Sequence, residues 1–98
     1  MAKFYECYDD PAEIVLVRRG ELSLSQRELA ARIGFRSANF ITMIEKGNSP
    51  MPLKRSVEIA KALEMRDPAW FVMKVLKRQH PSVYEELASD QWKRRANR

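Results

Sequence analysis

Apolar positions along this chain recur at helical spacing. Leu29, Ala30 and Ile33 share one face, as do Phe40, Ile41 and Ile44. Leu53, Val57, Ala60 and Leu63 recur at four and three, and Phe71, Val72, Val75 and Leu76 form a further stripe. Ile14, Val15, Leu16 and Val17 are adjacent, which leaves their period ambiguous. The punctuation agrees with helices. Asp10 before Pro11 and Asp67 before Pro68 are helix starts, a capping residue followed by a proline at the first helical position. SQRE at 25–28 is a capping box. Ser37 is a candidate cap, and Pro52 opens another helix. Gly20, Gly34 and Gly47 read as stops, and His80 before Pro81 as a break.

These signals predict helices over about 11–19, 26–33, 38–46, 52–63, 68–79 and 82–88. Residues 1–9 read as an arm, a short strand or an extended segment, with Phe4, Tyr5 and Tyr8. Residues 10–79 read as the main domain, and 80–98 as a C-terminal helix and basic tail, a candidate for dimerisation. The end of that tail, Trp92 and then KRRANR, is expected to fray.

The bulk numbers narrow the class. A chain of 98 residues is one domain's worth, and 45% hydrophobic residues suffice for a core without staple or metal. The lone Cys7 forms no internal disulfide, so a reducing interior is expected. The opening MAKFYECYDD is no signal-peptide pattern, and no run suits a bilayer span, which together give a cytoplasmic expectation with no membrane partner. The net charge of +5 favours an anionic partner. It is uneven. Residues 1–17 carry one Lys against Glu6, Asp9, Asp10 and Glu13, whereas 18–55 carry eight basic residues against Glu21, Glu28 and Glu45.

The basic excess therefore falls on LSQRELAARIGFRSANFITMIEKG, residues 24–47, and its flanks; the stretch itself reads as two short helices and a tight turn. Ala30 is small enough for a helix crossing, Gly34 frees the turn from Cβ strain, and Ile41 and Ile44 anchor the second helix from below. The outer face of that second helix fits a major groove about 12 Å wide. LSQRELAARIG, then ITMIEKG, then SVEIAKALEM resembles the Xre, Cro and phage-repressor type of helix-turn-helix regulator over residues 18–65. The resemblance implies an all-α, lambda-repressor-like bundle, here of five to six helices with an N-terminal arm. One departure stands out: the thirteen steps from Gly34 to Gly47 exceed the family's usual spacing by one. The added residue is expected in the turn at Phe35, Arg36 and Ser37. Counting back from Ile44 keeps the anchors in register.

The resemblance implies that Gln26 bonds a phosphate and braces the reading helix; otherwise it is an exposed Gln near a cap. Ser25 caps, beside N–H groups that suit a phosphate. Ser37 caps, touches phosphate, or both. Asn39 is the best candidate for base readout, by a bidentate pair with adenine; the alternative is a local cap. Ala38 suits a thymine methyl. Thr42 is a phosphate or base contact. Met43 falls on a base-reading position of the family, where it packs on thymine methyls or serves as core filler. Arg36 forks onto guanine, clamps a phosphate, or is simply solvated. Lys46, Asn48, Lys54 and Arg55 are backbone contacts or nearby charge. Lys93, Arg94, Arg95 and Arg98 add nonspecific affinity or are solvated.

No metal-ligand spacing, phosphate-cradling glycine loop or nucleophile elbow is present, and Cys7 and His80 stand alone, so no catalysis, cofactor or metal is expected. The expected function is sequence-specific binding of double-stranded DNA by a transcriptional regulator. It is expected to be a repressor, a homodimer on an inverted repeat, acting on promoters that include its own. Two alternatives stand beside it. One is an antitoxin that binds a toxin and represses its own operon; the other is a protein-interaction module that does not read DNA.

Overall fold

The computed structural model describes residues 4–89. Six α-helices follow a 3-10 helix at Phe4–Cys7. They are α1 (Pro11–Glu21), α2 (Gln26–Arg32), α3 (Asn39–Glu45), α4 (Leu53–Ala62), α5 (Pro68–Gln79) and α6 (Pro81–Ala88). No strand occurs among the described residues. The start of the expected arm, residues 1–3, and the end of the expected tail, 90–98 with Trp92, lie outside them.

Local chemistry sets most helix ends. The Asp10 carboxylate accepts from the Ala12 N–H at 3.1 Å ahead of Pro11. Both halves of the capping box form: the Glu28 carboxylate accepts from the Ser25 N–H at 2.8 Å, and the Ser25 hydroxyl accepts from the Glu28 N–H at 3.0 Å. Gly34 (φ +88°) and Gly47 (φ +73°) close α2 and α3 in left-handed conformations that glycine adopts at little cost.

Elsewhere the structure departs from expectation. Gly20 does not stop α1. The helix continues to Glu21 and ends where the Leu22 N–H bonds back to Arg18 and Ser23 takes φ +56°. Ser37 does not cap α3: Ala38 holds the N-cap position, and the Ser37 hydroxyl accepts only a long 3.4 Å contact from the Asn39 N–H. Asp67 precedes α5 without a side-chain cap bond. The expected extended arm is a 3-10 turn where it is described. Tyr5 there is buried, meets Trp70 edge-on at 5.7 Å, and lies under the Arg18 guanidinium at 4.8 Å. The ion pair of Lys74 with Asp9 at 2.6 Å adds a second tie, and that ammonium holds the Asp9 carboxyl below the usual carboxylate range.

The inner stripe of α4 is also rotated. Ser56, Ile59, Ala60 and Leu63 are buried, while Leu53 and Val57 are exposed. Ser56 tolerates this because its hydroxyl donates to the Leu53 carbonyl one turn back, so this donor is paired. The core gathers Ile14 and Val15 of α1, Leu29 and Ala30 of α2, Ile41 and Ile44 of α3, Ile59 and Ala60 of α4, and Phe71 and Val75 of α5. Leu16 faces outward and Val72 is half-buried. The far end of α4 is held by two arginines. Arg18 donates to the Leu63 and Glu64 carbonyls at 2.9 and 3.1 Å, and Arg32 donates to the Ala62 carbonyl at 2.8 Å. Carbonyls at a helix C-terminus lack partners in their own helix and carry partial negative charge, so cations suit them. α6 packs on α5 and buries none of its residues.

The Ser25 backbone N–H, and then its hydroxyl, hold the Glu28 carboxyl below the usual carboxylate range. With the folded pKa below the unfolded one, the box contributes fully above the unfolded pKa and is lost as pH falls through the folded value. In an NMR titration the Glu28 midpoint is expected below that of an unstructured Glu, and Ser25→Ala is expected to raise it.

Candidate nucleic-acid interface

α2 and α3 form a helix-turn-helix whose second helix is anchored from beneath by Ile41 and Ile44, which are fully or almost fully buried. The register counted back from Ile44 is therefore the one adopted. Four residues, Phe35 to Ala38, separate Gly34 from the start of α3. Phe35 donates its N–H to the Ala30 carbonyl at 2.9 Å, and its ring packs on Phe40 at 4.8 Å. The Arg55 guanidinium covers the Phe35 ring at 4.7 Å and pairs with Glu58 at 3.0 Å. Arg55 is thus engaged within the fold. Arg36 and Ser37 are exposed at the crest of the turn.

The outer face of α3 carries Asn39, Met43 and Lys46, spaced four and three apart, and all three are exposed. Met43 is 46% exposed, so it is not core filler. Asn39 follows the N-cap position, and no side chain caps the helix, so the local-cap alternative does not hold for it. Ala38 is half-buried, while Ser25 and Asn48 are exposed on the flanks of α3.

Thr42 and Gln26 turn toward each other. The Thr42 hydroxyl donates to Gln26 Oε1 at 2.8 Å and lies 3.1 Å from the Ala38 carbonyl. Gln26 Nε2 in turn donates to Glu45 Oε1 at 2.8 Å. Glu45 is the hub. Its side chain is 5% exposed and receives the Arg19 guanidinium through two bonds, at 2.8 and 3.1 Å, while Arg19 also donates to the Leu24 carbonyl at 2.9 Å. One carboxylate thereby links α1, α2 and α3, and Gln26 of α2 is bonded to both Thr42 and Glu45 of α3. Neither Arg19 nor Glu45 stood out in the sequence as part of the site. A signal was present: Glu45 is the one acid in a short helix within a basic stretch, and an acid placed so needs a basic partner. Among the described residues no cluster of metal-binding side chains forms.

The chain matches the helix-turn-helix family HTH_3 over residues 16–71, and it belongs to that family, whose members are Xre-, Cro- and lambda-repressor-like. No curated protein and no solved structure gives a significant match. The domain implies DNA binding, and its family is typically non-enzymatic. No described helix is long and apolar enough to cross a membrane.

Removing one partner of a buried, bonded charge leaves the other uncompensated. Glu45→Ala is expected to cost roughly 2–4 kcal/mol in urea unfolding, and Arg19→Lys less, because it keeps the charge but loses the fork.

Proposed function

We propose that this chain is a sequence-specific regulator of transcription, a repressor that binds double-stranded DNA as a homodimer on an inverted repeat, its own promoter included. The observation that carries the reading is the division of labour on α3. Ile41 and Ile44 are buried, Thr42 is bonded to α2, and Asn39, Met43 and Lys46 form one exposed stripe. That stripe enters the major groove. The Asn39 carboxamide offers the donor and acceptor that pair with adenine, Met43 lies on thymine methyls, and Ala38 is small enough to admit one. Arg36 and Lys46 meet the DNA at the two ends of α3. Ser25, Gln26, Ser37 and Asn48 bond the flanking phosphates, with Gln26 also fixing the angle of α3.

Residues 10–79 hold this reading function and 80–98 serve dimerisation. In support, α6 buries none of its own residues and leaves Val83 47% exposed. A second copy doubles the bases read and makes the site a two-fold repeat. Occupancy of a promoter is then sufficient to block polymerase, and the protein acts in the cytoplasm.

A DNase I footprint upstream of the chain's own gene tests this. The wild type is expected to protect an inverted repeat, and Asn39→Ala to lose about 1–3 kcal/mol of affinity for it. Uniform, salt-sensitive coverage unaffected by the substitution would overturn sequence reading. A reporter whose output rises with added protein would overturn repression.

A further inference from the structure

Gln79, the last residue of α5, reaches across to the loop after α3. Its Oε1 accepts from the Met51 N–H at 2.6 Å, and its Nε2 donates to the Met51 carbonyl at 2.7 Å. A single carboxamide satisfies both backbone polar groups of one residue twenty-eight positions away. We propose that Gln79 is a positioning residue for DNA binding: by clamping Met51 it sets residues 47–52, with Asn48 on them, against the phosphates beside the reading helix. The inference rests on the DNA-binding reading of α3.

The loop has few other means of holding its shape. Gly47 leaves α3 with φ +73°, and the Asn48 N–H returns to the Met43 carbonyl at 3.0 Å. Pro50 and Pro52 have no N–H to give. The Met51 side chain is buried, which fixes one point but not the orientation of the peptides on either side. Next to the loop lies a cavity of about 290 Å³, bordered by Asp10, Ile44, Asn48, Pro50, Met51 and Gln79. With open space on that side, packing alone does not prevent the loop from shifting. Two opposed hydrogen bonds, one on the peptide group before Met51 and one on the peptide group after it, do. They fix both planes, and with them the direction of the neighbouring backbone.

The clamp comes from outside the helix-turn-helix. Gln79 lies beyond the 16–71 stretch that defines the family, at the junction of α5 with α6. The DNA-facing surface of this chain is therefore completed by a side chain that the motif does not contain. A misplaced loop should weaken backbone contacts to any sequence, so the effect is expected on nonspecific DNA as well.

The test uses the full chain and a random-sequence duplex of about 30 base pairs, with affinity measured by fluorescence anisotropy between about 50 and 200 mM salt. Gln79→Ala is expected to weaken binding about five- to ten-fold at the low end and to lower the salt slope by about one phosphate contact. Thermal unfolding and amide exchange are measured in parallel. The Met51 amide is expected to exchange at least about ten-fold faster while Ile41, inside α3, stays protected. Gln79→Leu loses both bonds without adding charge. It is expected to weaken binding as the alanine variant does, and it decides the matter if that variant does not fold. Unchanged affinity and slope would overturn the proposal. So would a loss of binding fully accounted for by the unfolded fraction. A wild type that shows no salt-dependent binding to the duplex would overturn the DNA-binding reading itself, whatever the exchange of Met51 shows.

Discussion

A buried carboxylate is a liability, because burial leaves its charge unsolvated unless partners compensate it. The way Glu45 escapes that penalty governs how the first three helices meet. The Arg19 fork supplies the opposite charge and two bonds, and Gln26 adds a third. The carboxylate is thereby made the point where α1, α2 and α3 meet. The network is directional. Gln26 can serve Glu45 through its nitrogen only if its oxygen faces Thr42, and that oxygen is where the Thr42 hydroxyl donates. Each bond thus fixes the orientation of the next, and the angle between α2 and α3 is set by hydrogen-bond geometry in addition to packing.

The opposite end of α3 is held by other means. Phe35 and Phe40 pack with their rings tilted by 43°, and Arg55 of α4 covers the Phe35 ring. The turn between α2 and α3 lies at this end. A helix cannot take an insertion between Ile41 and Ile44 without turning one anchor into solvent, whereas a turn can take one by bulging outward. Arg36 and Ser37 are exposed in that turn while Ile41 and Ile44 stay buried under α3.

Much of this was legible in the sequence wherever the controlling interaction is local. Ser25 and Glu28 are three residues apart and form the capping box that their spacing announces. Leu29, Ala30 and Ile33 are buried together as their period requires. Asn39 and Met43 fall on the outer face because Ile41 and Ile44 fall on the inner one. The misreadings have separate physical causes. α4 presents Ser56 rather than Val57 to the core because a hydroxyl satisfied within its own helix costs little to bury, and hydropathy alone does not register that. Gly20 lies inside α1 because glycine permits a helix end without imposing one. Thr42 lies on a face that helical periodicity leaves half exposed, and only its pairing with Gln26 turns it inward. Glu45 and Gln79 act on partners twenty-six and twenty-eight residues away, and no short-range pattern encodes such a meeting.

The two arginines at the far end of α4 tie distant parts of the chain together. The helix is already closed by its own turn, where Glu64 takes φ +54° and the Met65 N–H returns to the Ala60 carbonyl at 3.0 Å. Beyond that closure, three successive carbonyls, those of Ala62, Leu63 and Glu64, are held by Arg18 of α1 and Arg32 of α2. A guanidinium presents its donors in a rigid fork, so each grip sets a direction as well as a distance. The same few atoms that finish one helix thereby moor it to two others.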